Sequence, residues 1–402
     1  MTREALKQTI TDYAKAHQQT FITISQQIHA RPELGNEEVY ASARLSEQLE
    51  REGFSVQRNI AGHSTGFIAK KSSEKPGPTV YFLAEYDALP EIGHACGHNI
   101  IGTTSVLAAI LLGQIIEEIG GTVAVAGTPA EEGGDNGSAK ASFVNRGYFD
   151  DGDAAIMIHP GKETRVSGHS LAVDPVDYHF HGRTAHASAT PEKGINALDS
   201  VIQLFNGINA LREHLADDIR IHGVIPDGGK APNVVPDYAR ARFFLRAASR
   251  HDLNEVRKKV DRIAEGAGFM SGADLEITEF QNAIDELLPN DPFNELFYDI
   301  FTELGHDVEK TPSQAAGSTD TGNVSQVLPT IHPHIKIGDN LVGHTREFAE
   351  AASSPKGDQA VIDGGVGLAL IGLELFLDSE RLVNIKRAFE ASRSKQSEPL
   401  SI

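Results

Sequence analysis

Tryptophan is absent from this chain and cysteine occurs once, at position 96. A lone thiol closes no internal disulfide, which excludes the stapled scaffolds of small secreted proteins. Basic residues are also scarce: 36 Lys and Arg against 56 Asp and Glu give a formal net charge of −20. Such a surface repels phosphates and anionic headgroups, so neither a nucleic-acid nor a membrane partner is expected. The first residues, Met1-Thr-Arg-Glu-Ala-Leu-Lys-Gln8, lack the apolar core of a signal peptide. The most apolar run, 106–116, is too short to cross a bilayer and reads as a buried helix. With the single cysteine, these absences point to a reducing, cytoplasmic setting. The remaining composition is ordinary globular, 40% hydrophobic and 23% charged. At 402 residues the chain exceeds one compact core, so two domains are expected.

The first fifty residues read as helical, with Asn36 as cap of a helix running to Leu49 and Gly53 as its stop. Short strands follow at 55–59 and 66–69, then the apolar run Thr79-Val-Tyr-Phe-Leu-Ala84. That run feeds Glu85-Tyr-Asp-Ala-Leu-Pro-Glu-Ile-Gly-His-Ala-Cys-Gly-His-Asn99 and then an apolar helix over 100–116. Two more buried strands are expected at 122–126 and 154–158; the first leads into Glu131-Glu132 and the second into His159. The pattern then changes. Residues 171–181 alternate like a half-exposed strand, followed by a helix at 196–214 and strands at 218–225 and 238–246. A helix at 252–265 and a strand at 274–279 complete a β-α-β-β-α-β order, that of a ferredoxin-like sandwich. We read it as an insert, 170–283, in an α/β metal-binding domain formed by 1–169 and 284–402, with further helices at 294–304, 345–352 and 364–377. The polar end, 392–402, reads as frayed.

Three apolar strands thus each end in metal-capable groups: Asp87 with Cys96 and His98, Glu131 with Glu132, and His159. Strand ends are where open α/β sheets carry their chemistry. Adjacent carboxylates leaving a strand point apart, so one of the Glu131-Glu132 pair suits metal ligation and the other a general base. His344, after Gly343 and before a short helix, is a further candidate. Cys96, His98, Glu132, His159 and His344 make five donors of mixed S, N and O type, more than the three that one open tetrahedral ion needs. Five donors suit two ions sharing a water. Thiolate with imidazole argues against magnesium and calcium and for zinc, with manganese, nickel or cobalt as alternatives.

The segments His29-Ala-Arg-Pro-Glu-Leu-Gly35, His94-Ala-Cys-Gly-His-Asn99, Pro129-Ala-Glu-Glu132 and Gly343-His344 resemble, in order and over nearly the whole chain, peptidase family M20. This is the family of aminoacylase and carboxypeptidase G, and the match is to its cysteine-ligand branch. The resemblance implies a zinc-hydrolase α/β/α sandwich carrying a ferredoxin-like α+β lid and dimerisation domain. It implies the five metal ligands named above, Glu131 as general base and Asp87 in a supporting role. Glu85 stands where many members carry a ligating histidine, and is left without a metal role. Gly182-Arg-Thr-Ala-His186 resembles the lid motif, which makes His186 an oxyanion-stabilising residue reaching a partner's site. Asn233 and Arg246 match substrate-contacting positions, and Gly317 and Ser318 offer donors to a substrate carboxylate. The implied activity is hydrolysis of an amide in N-acyl amino acids or small peptides, by a homodimer formed through the lid domain or a tetramer. A zinc nucleobase deaminase needs a Pro-Cys-x-x-Cys pair that one cysteine cannot supply. A catalytically silent binding relative should have lost Glu131 or several ligands, and none is missing.

Overall fold

The apolar runs marked as buried strands lie side by side in one six-stranded sheet. The computed structural model describes residues 1–314 and 317–396. It divides into two units, Met1–His169 with Leu287–Ile402, and Ser170–Glu286. In the first, α1 (Arg3–His29) and α2 (Val39–Arg51) precede β1 (Ser55–Ile60), β2 (His63–Ser72) and β3 (Thr79–Ala84). Then come α3 (His98–Gly113), α4 (Ile116–Ile119), β4 (Thr122–Gly127), α5 (Ala139–Asn145) and β5 (Ala154–Ile156), with short strands β6 (His159–Gly161) and β7 (Thr164–Arg165). The second unit holds β8 (Ala172–His181), α6 (Ala197–Leu211), β9 (Arg220–Asp227), β10 (Tyr238–Ala247), α7 (Arg250–Ser271) and β11 (Asp274–Glu279). The chain returns to the first unit with α8 (Asp291–Glu303), β12 (Val308–Glu309), α9 (Thr321–Ser325), β13 (Thr330–Ile331) and β14 (His334–Lys336). It ends in α10 (Arg346–Ala352), α11 (Pro355–Leu377) and α12 (Ser379–Gln396).

The main sheet runs β1-β2-β4-β3-β5-β13, with β4, β3, β5 and β13 mutually parallel. Register places Ala84 beside Gly127 and Phe82 beside Ile156, so the carboxyl ends of three neighbouring strands open at one edge. Alternation along β3 and β4 sends Val80, Phe82, Val123 and Val125 into a core shared with α1, α3 and α11. Tyr81, Leu83, Ala124 and Ala126 face a second core with Phe143 of α5 and Val324 of α9. Both sheet faces are covered by helices, as a mostly parallel sheet requires. A smaller sheet, β12-β7-β14-β6, sits in the same unit.

Several local expectations change. Asn36 does not cap α2: it takes φ +66° and its side chain donates to Asp135 O and Asn136 O. The Glu33 carboxylate caps instead, accepting from the backbone N–H of Tyr40 (2.9 Å) and Ala41 (3.0 Å). The helix expected at 100–116 starts at His98 and breaks after Gly113. The strand expected through 158 leaves the main sheet after Ile156, and His159 opens β6. α11 begins nine residues before the expected start, 355 against 364, at a Pro behind Ser354, whose side chain accepts from Gly357 N. Among the described residues this one helix is long and apolar enough to cross a membrane, yet 89% of that stretch is buried within the protein. Helix α12 continues through 392–396, where a frayed end was expected; 397–402 lie outside the described residues.

In the second unit the sheet order β11-β8-β10-β9, antiparallel throughout, is ferredoxin-like, with α6 and α7 on one face. Strand β8 is buried on both faces through Tyr178, not half-exposed. Arg250 pairs with Asp174 on the helix side, and on the open side Arg242 grips Asp177 with two bonds, 2.8 and 2.7 Å. The unit extends to Glu286, beyond the expected limit at 283, because Arg250 also holds Asp285 and Glu286.

Candidate metal centre

Beyond Ala84 the backbone leaves β3 and reaches α3 through a tight turn at Gly97, φ +75°. A Cβ at Gly97 would stand 2.4 Å from Pro160 Cγ, so only glycine admits the close passage past β6. This passage puts Cys96 beside His159, Sγ to Nε2 3.3 Å. His98, on the first turn of α3, is wholly buried, and its Nδ1 meets Asp87 Oδ1 at 2.8 Å. Asp87 Oδ2 accepts from Glu132 N at 2.9 Å, so one carboxylate orients both the imidazole and the Glu132 backbone. Donating from Nδ1 leaves the Nε2 lone pair of His98 for a metal. His159 has the same polarity, its Nδ1 at 2.7 Å from Pro160 O. His344 sits at φ +62° with its N–H bonded to Ala95 O, and its Nε2 is 3.4 Å from Glu132 Oε2.

The five donors expected from sequence come together in two groups, Cys96/His98/His159 and Cys96/Glu132/His344, whose ligand atoms lie within 4.8 Å of one another. Cys96 belongs to both. A third group of the same compactness, Glu85/His98/Glu131, lies alongside. Among the buried atoms here that have no hydrogen-bond partner in the described residues are His98 Nε2 and Glu132 Oε1. Orphaned polar atoms at this depth are costly unless something binds them. Their S, N and O chemistry fits a borderline-soft divalent ion such as zinc.

Without an ion, burial and neighbouring charges set the protonation of these groups, and ligation would require Cys96, Glu132 and His98 to give up protons. Burial, then the charges of Glu85 and Glu132, pushes the Glu131 carboxyl well above the usual carboxylate range. Burial also raises Glu132 and the Cys96 thiol. His159 is pushed down to about 4, chiefly by burial, which keeps its ring neutral and able to ligate. His98 moves the other way: Asp87 outweighs the opposing effect of burial.

Other residues carry no sequence signal that marks them. Glu85 Oε1 lies 2.6 Å from Lys140 Nζ, which is also 2.6 Å from Asp320 Oδ1, and all three are fully buried. Only proximity in the fold identifies this trio. His332 and His334 ring His159 at centroid distances of 5.4 Å each. Gly317 and Ser318 lie in the first unit, just before Asp320. His186, Asn233 and Arg246 lie in the second unit. There His186 bridges Val234, and Ala187 N donates to Asn233 O, so their two loops are neighbours. His186 is exposed and its Nδ1 accepts from Ala189 N. Arg246 on β10 donates to His222 Nε2 and lies over the Phe244 ring.

Comparison with known proteins adds independent findings. Residues 175–268 match the family model of a peptidase dimerisation domain, M20_dimer. The chain is 31% identical over 389 residues to the Xaa-Arg dipeptidase of Mus musculus, covering 93% of this chain and 89% of that protein. It is 35% identical over 317 residues to a p-aminobenzoyl-glutamate hydrolase polypeptide of Escherichia coli, covering 74% of this chain and 65% of that protein. Among solved structures, Bacillus subtilis YxeP, described as a dinuclear metal-binding peptidase of the M20 family, superposes with a TM-score of 0.64 at 21% identity, covering 90% of this chain and 99% of that one.

Proposed function

From the premise that the chain belongs to the M20 peptidase family and is a metal-dependent amidohydrolase, we propose that it cleaves the amide bond of N-acyl amino acids or small peptides next to a free carboxylate. One observation carries this reading: five S, N and O donors converge in two groups beside Glu131, at the ends of adjacent strands. Cys96, His98 and His159 would hold one ion and Glu132 and His344, with Cys96 also in reach, a second, and zinc suits these donors. Such ions, when bound, make water acidic enough to attack at neutral pH and polarise the scissile carbonyl. Glu131 takes the proton from the attacking water and returns it to the leaving nitrogen. Its raised proton affinity suits that exchange near neutral pH. Asp87 fixes the His98 tautomer and, through the Glu132 backbone, the second carboxylate's approach.

His186 accepts at Nδ1, so its Nε2 carries the proton and can donate to a developing oxyanion. In the second unit Arg246 offers a fork to a carboxylate, with Asn233 as a further donor, and in the first unit Gly317 and Ser318 offer donors of the same kind. The active species is a homodimer through the second unit. Edge strand β9, with Val224 61% and Ile225 43% exposed, and Ile202 of α6 supply an unpartnered apolar surface for it. A ligating thiolate suits a reducing cytoplasm. Turnover of a panel of N-acyl amino acids and dipeptides, including C-terminal arginine dipeptides and aminobenzoyl-glutamate, after loading with single metals tests the proposal. Hydrolysis confined to substrates with a free carboxylate is expected. Loss of the carboxylate, as an amide, without loss of rate would remove the carboxylate-recognition part.

A further inference from the structure

Burying the Lys140 ammonium with Glu85 and Asp320 costs several kcal/mol of desolvation per charge, and an apolar trio of equal volume is often as stable. The arrangement is nevertheless closely built. Asp320 holds Lys140 twice, Oδ2 accepting its backbone N–H at 3.0 Å and Oδ1 its ammonium at 2.6 Å. The second contact of that ammonium is Glu85, whose other oxygen, Oε2, lies 3.5 Å from His98 Nε2. His98 has one nitrogen to give, since Nδ1 is committed to Asp87. That nitrogen can join Cys96 and His159, or it can join Glu85 and Glu131, the third compact donor group. In the second case the proposed base becomes a ligand and the Cys96/His159 ion loses a donor.

We propose that Lys140 is a positioning residue of the metal centre: its ammonium, 2.6 Å from Glu85 Oε1, restrains the Glu85 carboxylate and so keeps Glu85 and Glu131 from capturing the metal that His98 ligates. The proposal rests on the assignment of Cys96, His98 and His159 as ligands. Lys140 touches neither substrate nor metal. It acts by occupying, as a built-in cation, the side of Glu85 from which a carboxylate would otherwise turn inward.

The test is the visible absorption of the cobalt(II)-loaded full-length protein, which reports coordination number and donor type without turnover and therefore stands apart from any question of substrate. In Lys140→Met, released Glu85 adds an oxygen donor. The absorptivity should fall as the coordination number rises, and kcat should drop about 10–100-fold, the usual cost of losing a residue that orients ligands. Adding Glu85→Gln removes the competing carboxylate, so Lys140→Met/Glu85→Gln should return both spectrum and kcat toward wild type. Recovered stability alone is also expected of a purely structural lysine, because Glu85→Gln removes the unpaired buried charge, so the cobalt spectrum is the deciding readout. In Asp320→Asn the ammonium still holds Glu85, so the spectrum should match wild type. Should Lys140→Met fail to fold, Lys140→Gln, whose neutral N–H donors hold Glu85 more weakly than the ammonium, should change the spectrum and kcat in the same direction to a smaller extent. A wild-type spectrum in the folded lysine variant, a double variant no closer to wild type than the single, or a Lys140→Met-like spectrum in Asp320→Asn overturns the proposal.

Discussion

Glu131 and Glu132 are consecutive, yet their surroundings separate them. Both approach His98 Nε2, at 3.8 and 3.9 Å, but Glu132 also faces His344 at 3.4 Å, whereas Glu131 lies by the charge of Glu85. Glu131→Gln is therefore expected to keep its metal while activity falls about 10²–10⁴-fold, the contribution of a general base. Metal analysis and kinetics on one preparation decide the matter; near-normal turnover removes Glu131 from the mechanism. Cys96 belongs to both ligand groups, so Cys96→Ser is expected to lose both ions and activity together. Full metal occupancy in the serine variant would show that Cys96 only packs. Glu38 offers a test in pH. It is buried and accepts from Ala130 N and Thr65 Oγ1, and burial, aided by the charge of Asp87, raises its carboxyl to about 7 from an ordinary 4.5. Between those values the native state holds a proton that the unfolded chain has released. This group's contribution to stability therefore falls as pH rises, by roughly 1.4 kcal/mol per pH unit, and levels off above about 7. Urea unfolding of wild type and Glu38→Gln at pH 5 and 7 should show that slope in the difference between them; equal shifts in both proteins would contradict it. Motif residues at strand ends were legible because their types and order are local facts. The Glu85–Lys140–Asp320 trio was not, since pairing across distant segments leaves no trace in spacing.

Among elements, the strands β3 and β4 and the helices of the insert were legible from apolar runs and alternation; the expected start at Asn196 proves to be the cap of α6, its side chain accepting from Leu198 N. Boundaries failed where a side chain from outside the element set them, as Glu33 does for α2. The start of α11 was missed because its first turns carry Lys356, Asp358 and Gln359, which look like loop until Ser354 and Pro355 are seen to cap them. The same helix packs closely on α3 because Gly365 faces Leu107: an added Cβ would lie 2.4 Å from Leu107 Cδ2. Gly266, inside α7, has nothing within 4 Å of its added Cβ. The same substitution should act with opposite signs at the two places. Gly365→Ala is expected to destabilise by about 1–2 kcal/mol through overpacking. Gly266→Ala should stabilise by about 0.5–1 kcal/mol through helix propensity. Denaturant midpoints measure both, and a stabilised Gly365→Ala would mean that α3 and α11 have room to separate.

At the level of the whole molecule, the insert was legible because its element order differs from that of its host, while at its far limit the Arg250 side chain pairs with Asp285 and its backbone N–H donates to Glu286. His186 lies in that insert, and every proposed ligand lies in the other unit. If His186 serves a partner's site, inactive His186→Ala and Glu131→Gln proteins should complement when mixed and allowed to exchange subunits. Random pairing restores about a quarter of the sites in a two-fold dimer. Confirmed exchange without activity would confine His186 to its own chain. The host unit is itself discontinuous, and β13, β14, His344 and α11 all follow the insert. Domains emerge from the ribosome in sequence order and fold as units. The insert, with a core of its own, is thus complete while the host still lacks its central helix and one of five metal donors. If His344 is a ligand as proposed, a nascent chain carries no complete metal centre until that residue, far downstream of the insert, has been made.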